Sequence, residues 1–269
     1  MNYKMIVLDL DGTLTNRDKE ITLRTREVLM EAQRQGKIVV LASGRPTQGV
    51  APLARELELE KYGSYILSYN GGMITNCRTG KTVAAALLPP EINRKVIGLA
   101  REQQVNILTY EKDTIITLKK KDPYVELEAR INQMEIKEIS DMENYVEFAV
   151  PKFLMVDDGD YLAMVEPRVK AALGRDFSVY RSDPFFLEIL PKGIDKAKRL
   201  EVLLEILEIS REEMIACGDG YNDLSMIRFA GLGVAMGNAV LPVRNAADYI
   251  TGTNDEDGVA QVVEKFMLS

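Results

Sequence analysis

The stretch that most constrains the fold of this chain is an apolar run that ends in two carboxylates close to the start of the sequence. Met5–Leu8 is entirely apolar, which is typical of a strand buried on both faces of a parallel sheet. Asp9 and Asp11 come next, and Gly12 then permits a sharp turn. Because side chains alternate along a strand, the spacing of two predicts both carboxylates on one side, at the carboxyl end of the strand. Two like charges this close repel each other unless a cation or a shared proton relieves them.

The same kind of apolar run recurs along the chain, separated by amphipathic helical stretches. Ile38–Ala42 and Tyr65–Tyr69 read as the next buried strands, and a further one is expected at Met214–Cys217. Strands that alternate with helices of this length are typical of βαβ units in a parallel sheet with right-handed crossovers. The sequence therefore predicts an α/β fold with a doubly wound, Rossmann-like parallel sheet.

The alternation is interrupted in the middle of the chain by a stretch long enough to be a domain of its own. We expect the core to be formed by residues 1–83 and 189–269, with residues 84–188 inserted as a second α/β domain. Beyond a hairpin at 73–77 and 81–87, the patterns predict helices near 91–103, 124–134 and 161–173, and strands near 106–110, 115–118, 153–156, 177–181 and 185–190.

Composition narrows the range of partners. A net charge of −7 over 269 residues argues against nucleic acid or an anionic membrane as the main partner, since both are bound through basic patches. No apolar run approaches the length of a membrane span, and the charges at Lys4, Asp9 and Asp11 do not fit a secretory signal. Cys77 and Cys217 are the only cysteines, so a disulfide framework is not expected. We expect a cytoplasmic protein that is a monomer or a weak homodimer.

The chain contains no histidine. This excludes Ser-His-Asp and Cys-His catalysis, histidine zinc sites and phosphohistidine chemistry. Any proton transfer must therefore fall mainly to carboxylates, lysines or tyrosines.

Polar residues follow three of the predicted strands, and in open α/β sheets ligands bind at the carboxyl ends of the strands. Each group has an ordinary explanation when taken alone: Ser43 fits a helix cap, and Asp219 fits a turn. Their joint placement at one edge of the sheet favours a functional site. Carboxylate oxygens without histidine or thiolate ligands favour Mg²⁺. The candidate metal ligands are Asp9, Asp11, Asp219 and Asp223.

These segments resemble the motifs of the haloacid dehalogenase (HAD) superfamily. The segment Asp9-Leu10-Asp11-Gly12-Thr13 is similar to motif one, and Ser43-Gly44-Arg45 is similar to motif two. Motif four is matched by Gly218-Asp219-Gly220-Tyr221-Asn222-Asp223. Motif three is a single lysine, for which Lys196 is the best match. Because the long insertion separates motifs two and three, it corresponds to a C2-type cap. The closest resemblance is to the Cof-like phosphatases, which the stretches 233–239 and 255–259 also resemble.

The resemblance implies a role for each of these residues. Asp9 would be the nucleophile that forms an aspartyl-phosphate, and Asp11 would act as general acid and then as general base. Mg²⁺ would be held by Asp9, the Asp11 carbonyl and Asp219, with Asp223 orienting the loop. The residues expected to bind phosphate or substrate are Leu10 and Gly44 through their N–H groups, Ser43, Arg45, Asn70, Lys196 and Asn222.

The sequence thus predicts a Mg²⁺-dependent phosphomonoesterase that acts on small phosphorylated metabolites, above all sugar phosphates. A sugar-phosphate phosphomutase is an alternative, because some mutases share this core and cap. A non-catalytic phospho-receiver that binds Mg²⁺ is a further alternative, although receivers are shorter and have no inserted domain. Nucleotide binding is poorly supported, because the chain has no Gly-x-x-x-x-Gly-Lys-Ser/Thr loop.

Overall fold

The computed structural model describes residues 3–268, which form mixed α/β structure. The strands are β1 (Met5–Leu8), β2 (Ile38–Ala42), β3 (Tyr65–Ser68), β4 (Met73–Asn76), β5 (Thr82–Ala85), β6 (Asn106–Glu111), β7 (Thr114–Thr117), β8 (Glu135–Glu138), β9 (Phe153–Val156), β10 (Phe177–Asp183), β11 (Phe186–Pro191), β12 (Met214–Gly218), β13 (Leu232–Ala235) and β14 (Tyr249–Ile250). The helices are α1 (Leu23–Arg34), α2 (Thr47–Glu56), α3 (Leu59–Tyr62), α4 (Pro90–Glu102), α5 (Pro123–Asn132), α6 (Met142–Tyr145), α7 (Gly159–Leu173), α8 (Lys196–Leu207), α9 (Leu224–Phe229), α10 (Leu241–Ala246) and α11 (Gly258–Phe266). Among the described helices, none has the length and apolar character that crossing a membrane requires.

The chain divides into two compact units. The first combines the residues up to 84 with those from 195 onward, and the second consists of residues 85–194. The sequence interpretation ends the insertion at residue 188. In the structure β11 continues to Pro191, which pairs with Phe177 of β10 in the sheet of the second unit.

The first unit is built on an eight-stranded sheet with the order β14-β13-β12-β1-β2-β3-β4-β5. The six strands from β14 to β3 are parallel, and β4 joins β3 in antiparallel orientation. In the centre, Val7 pairs with Val40 of β2 on one side and with Ala216 of β12 on the other. The chain winds outward through β2 and β3 in one direction and through β13 and β14 in the other. The predicted doubly wound parallel sheet is confirmed, with its switch point between β1 and β12.

The central strand forms because its residues can be buried from both sides. All four residues of β1 have no solvent exposure, as its continuous apolar run predicts. Helix α8 contributes Leu200, Leu203 and Leu204 to the same core. It begins directly after Asp195, whose side chain accepts a hydrogen bond from the N–H of Lys198 (2.9 Å). This cap places Lys196 in the first turn of α8.

The second unit has its own sheet and its own core. The strand order is β10-β11-β9-β6-β7-β8, and its pairings are antiparallel except for the parallel pair β7–β8. Alternate residues of β9 and β11 point into a core that α4, α6 and α7 cover, among them Phe153, Met155, Leu187 and Ile189. The sequence patterns predict no strand at β8, which is short, polar and at the edge of this sheet.

Candidate active site

The turn after β1 is tied to β12, and its shape requires glycine. The N–H of Asp9 donates to the carbonyl oxygen of Cys217 (3.1 Å), which ties the turn to β12. Gly12 has a φ of +85°, and a Cβ atom at this position would lie 2.5 Å from Asp219 Oδ2. A side chain here would therefore be strained and would displace the carboxylate of Asp219. Gly12 lets the two strand ends approach each other closely.

Three carboxylates meet at the switch point of the sheet. One oxygen each of Asp9, Asp219 and Asp223 lies within 4.8 Å of the other two, so this group could hold a metal ion. Thr13 Oγ1 donates to Asp219 Oδ1 (2.8 Å) and fixes the orientation of that carboxylate. Burial, together with the nearby charges of Asp223 and Asp219, raises the pKa of Asp9 to about 8, even though Lys196 opposes the shift. Burial also raises the pKa of Asp219. By itself the cluster carries more negative charge than one lysine can balance.

That lysine is Lys196, and it is completely buried. Its ammonium group donates to Asp9 Oδ1 (2.6 Å), Asp223 Oδ1 (2.7 Å) and the carbonyl oxygen of Ala42 (2.9 Å). Burial alone would lower the pKa of Lys196, but the charges of Asp9 and Asp223 raise it above its ordinary value. All three N–H donors of the ammonium are thus used within the protein, and Lys196 remains charged while it fixes the carboxylate of Asp9.

Asp223 is buried as completely as Lys196 and serves the loop that carries Asp219. Its Oδ2 accepts hydrogen bonds from the N–H groups of Asp219 (3.0 Å) and Gly220 (2.9 Å). With the bond from Lys196, its two oxygens already accept three hydrogen bonds. This arrangement fits the orienting role that the sequence suggests for Asp223.

Asp11 stands apart from the three-carboxylate group and is held by two cations. Arg45 Nη2 lies 2.7 Å from Asp11 Oδ1 and 2.8 Å from Oδ2, and Arg45 Nε donates to Oδ2 (3.1 Å). Lys19 Nζ donates to Oδ1 (2.8 Å). Burial alone would raise the pKa of Asp11, but Lys19 and Arg45 outweigh it and hold the pKa below its ordinary value. In this arrangement Arg45 binds Asp11, whereas the sequence suggests that it contacts the substrate.

Donor groups line the ends of β1 and β2. Ser43 is buried, and its Oγ accepts a hydrogen bond from the N–H of Arg45 (3.2 Å). Within residues 3–268, the N–H groups of Leu10 and Gly44 donate to no protein oxygen. A hydroxyl group and two free N–H groups at strand ends are suited to hold an anion.

Asn70 and Asn222, both predicted to bind substrate, meet beside these donors. Asn222 Nδ2 donates to Asn70 Oδ1 (3.2 Å). The N–H of Asn70 donates to the carbonyl oxygen of Ser43 (2.9 Å), and a Cβ atom on Gly44 would lie 3.0 Å from Asn70 Nδ2. The structure therefore places residues from the ends of β2, β3 and β12 next to one another.

Sequence reasoning missed several residues that shape this site. Asn238 Nδ2 donates to the carbonyl oxygen of Gly12 (2.8 Å), and Asn254 Nδ2 donates to that of Thr15 (2.9 Å). Asn238 lies in one of the stretches that resemble the Cof-like subfamily, which was a usable signal. Lys19 carried no signal, because nothing in the sequence shows that a lysine eight residues after Asp11 folds back onto it.

Arg181 of β10 and Glu188 of β11, two charged residues of the second unit, are bound to neighbours within that unit. Arg181 Nε donates to Glu166 Oε2 (3.0 Å). Glu188 forms a buried ion pair with Lys152, with 3.2 Å between Lys152 Nζ and Glu188 Oε1. Both side chains therefore have structural partners of their own.

Comparisons with known proteins confirm the family resemblance. The family described as haloacid dehalogenase-like hydrolase matches residues 6–263. A protein of Bacillus subtilis that carries a phosphatase name, YxeH, is 31% identical over 268 residues, which is 99% of each chain. The crystal structure of a haloacid dehalogenase-like hydrolase from Bacteroides thetaiotaomicron is 52% identical, with a TM-score of 0.94 over 98% of this chain and 99% of that one. The sugar phosphatase BT4131 of HAD subclass IIB is 25% identical, with a TM-score of 0.78 over 98% of each chain.

Proposed function

The chain belongs to the haloacid dehalogenase-like hydrolase family, and we propose that it is a Mg²⁺-dependent phosphomonoesterase that works through an aspartyl-phosphate on Asp9. Its membership of the phosphatase class is supported by relatives that it matches over 98–99% of their length. The proposed Mg²⁺ dependence and the proposed nucleophile, Asp9, rest on the residues of the site.

The observation that carries the proposal is the environment of Asp9. Its Oδ1 is fixed by the buried ammonium of Lys196. Within the described residues no hydrogen bond reaches its Oδ2, which leaves that oxygen available as a nucleophile. The free N–H groups of Leu10 and Gly44 can hold the oxygens of a phosphoryl group beside it. A fixed carboxylate next to an anion site is what nucleophilic attack on a phosphate ester requires.

The proposed reaction has two steps, formation and hydrolysis of the aspartyl-phosphate. In the first, an oxygen of Asp9 attacks phosphorus and the bond from phosphorus to the ester oxygen breaks. Its electron pair stays on the leaving oxygen, which takes a proton from Asp11. In the second, water attacks the phosphorus of the aspartyl-phosphate and gives a proton to Asp11. The bond from phosphorus to Asp9 breaks, and inorganic phosphate and the free carboxylate result.

The residues present fit Mg²⁺. Asp9 and Asp219 offer carboxylate oxygens within reach of one another, and the carbonyl of Asp11 is the further protein ligand that we propose. Burial is the main cause of the raised pKa values of Asp9 and Asp219, and the neighbouring carboxylates add to it. A divalent cation would stabilise both groups in their ionised form. When bound, the ion supplies charge neutralisation between the anionic nucleophile and the anionic phosphate. We assign Asp223 an orienting role, because its oxygens already accept three hydrogen bonds.

We propose small phosphorylated metabolites as substrates, with sugar phosphates first among them. The likeness to a sugar phosphatase over nearly the whole chain supports this choice. The purified protein should release inorganic phosphate from p-nitrophenyl phosphate and from members of a sugar-phosphate panel. Activity should require Mg²⁺ and stop with EDTA.

The matched control for the nucleophile is Asp176→Asn, which makes the same change at an exposed position of the second unit. Asp9→Asn should abolish turnover, whereas Asp176→Asn should leave it unchanged. Full activity in EDTA would contradict the metal assignment. Transfer of phosphate between positions of a sugar, without net release of inorganic phosphate, would instead identify a mutase.

A further inference from the structure

We propose that Lys19 is a positioning residue that holds Asp11 in place for proton transfer to the leaving group. The proposal rests on the function proposed above and adds a residue to it. Lys19 lies in a short segment after the first strand, which we call the flap and define as residues 16–22.

The contact itself is direct. Lys19 Nζ lies 2.8 Å from Asp11 Oδ1. The guanidinium of Arg45 also binds Asp11, so cations from two separate segments of the chain hold one carboxylate. Lys19 is bonded to Oδ1 alone, whereas Arg45 contacts both oxygens, so Oδ2 becomes free once Arg45 leaves it.

The backbone of the flap is arranged to present this side chain. Asn16 Oδ1 accepts hydrogen bonds from the N–H groups of Asp18 and Glu20 (3.0 Å each), which closes a tight turn around Lys19. Lys19 itself has a φ of +64°, in the left-handed region where glycine, asparagine or aspartate would be the usual choice.

The flap is also anchored on both sides of Lys19 to the segment 254–257. Arg17 donates from its N–H (2.9 Å) and from Nε (3.0 Å) to the carboxylate of Asp255. Thr22 Oγ1 donates to Asp257 Oδ1 (2.5 Å). These bonds fix the backbone of the flap and therefore the position from which the exposed side chain of Lys19 extends to Asp11.

The two cations that hold Asp11 are not equivalent. Arg45 follows Ser43 and Gly44 directly and therefore lies beside the donors proposed to hold the phosphoryl group. A guanidinium in that position can turn from Asp11 to a phosphoryl oxygen when substrate binds. Lys19 then remains as the group that holds Asp11 toward the leaving oxygen.

The test compares Lys19→Met and Lys19→Arg with the wild type on a series of substituted phenyl phosphates. The series varies the acidity of the leaving group while the phosphoryl group stays the same. The control is Lys61→Met, because Lys61 forms an ion pair with Glu58 at the same distance of 2.8 Å and with nearly the same side-chain exposure, 64% against 63% for Lys19. The measured quantity is kcat/KM, which reports formation of the phosphoenzyme.

Loss of the Lys19 charge should raise the pKa of Asp11, but a carboxyl group that is out of position cannot reach the leaving oxygen. Lys19→Met should therefore lower kcat/KM about tenfold for phenyl phosphate and less than about twofold for p-nitrophenyl phosphate, since general acid catalysis, worth roughly 10²–10⁴-fold, matters most for poor leaving groups. The dependence of kcat/KM on leaving-group pKa should therefore become steeper. Lys19→Arg should restore the wild-type dependence, and Lys61→Met should not alter it.

An equal loss across the whole series, or the same change in Lys61→Met, would overturn the role of Lys19 and leave the proposed function standing. A wild-type protein that hydrolyses none of these esters would overturn the proposed function, and the role of Lys19 with it. Thermal unfolding of each variant identifies any loss that is due to misfolding.

Discussion

Replacing Lys196 by methionine should severely destabilise the first unit, which contains the candidate active site. Methionine fills a similar volume but has no charge and no N–H donors. The ammonium that it removes is fully buried and donates at 2.6 Å to Asp9 and at 2.7 Å to Asp223. Two buried carboxylates are then left without their cation. Removing one partner of a buried ion pair costs about 3–5 kcal/mol of unfolding free energy.

This loss is large compared with the roughly 5–15 kcal/mol that holds a typical domain folded. At about 2–4 °C per kcal/mol for a domain of this size, the melting temperature should fall by roughly 6–20 °C. The assay is thermal unfolding followed by circular dichroism at pH 8 in EDTA. The control is Lys198→Met on the same helix, where the side chain is exposed and the expected cost is below about 0.5 kcal/mol.

The pH dependence of the stability lost in Lys196→Met provides a second check. Without Lys196, which opposes the shift in the wild type, the pKa of Asp9 should rise further in the folded state. The folded protein then binds more protons than the unfolded chain, so acidification from pH 8 to pH 5 should return part of the lost stability. The pKa of Lys196 is itself raised by folding, so the stabilisation that it gives the wild type is complete throughout this range. A Lys196→Met variant as stable as Lys198→Met at pH 8 would refute the reasoning.

Two further predictions concern the same cluster. Gly12→Ala should reduce kcat/KM by more than tenfold at saturating Mg²⁺. The new Cβ would lie 2.5 Å from Asp219 Oδ2, and a φ of +85° is strained for alanine. Kinetics equal to those of the wild type would contradict this prediction. In EDTA, Asp9→Asn should gain stability relative to the wild type as the pH rises from 5 to 8. Folding raises the pKa of Asp9 from 3.8 to about 8, so over this range the folded protein keeps a proton that the unfolded chain releases. The wild type should therefore lose up to about 4 kcal/mol of stability that the variant keeps, at 1.36 kcal/mol per unit. Urea unfolding at the two pH values measures this gain, and a constant difference between the proteins would count against it.

The architecture of the core could be predicted because its signals are local. β1 and β2 are continuous apolar runs, and Ile38–Ala42 has the ends that the sequence indicates. The polar strand ends also come together as the parallel sheet requires, with Asp9 beside Asp219 and Asp223. The predicted fold class, with an inserted α/β cap domain, is confirmed by the likeness to known HAD hydrolases.

The remaining features depend on contacts that no local pattern encodes. β8 has the sequence Glu-Ile-Lys-Glu, and as an exposed edge strand it has little apolar signal to detect. The direction of the Arg45 side chain, toward Asp11, follows from a charge that lies 34 residues away in the sequence. The bonds from Asn238 and Asn254 to the turn after β1 join opposite ends of the chain. The sequence shows these residues, but the fold decides what they touch.

The most direct test of the central claim is to trap the phosphoenzyme. The Asp11→Asn variant, which lacks the base for the hydrolysis step, is mixed with p-nitrophenyl phosphate and Mg²⁺ and quenched in acid within milliseconds to seconds. Borohydride then reduces an acyl phosphate to the alcohol, and peptide mass spectrometry locates the modified residue. We predict that Asp9 is converted to homoserine in proportion to the p-nitrophenol released in the first turnover. First-turnover release of p-nitrophenol with Asp9 unmodified, or with the modification on Asp219 instead, would contradict the account.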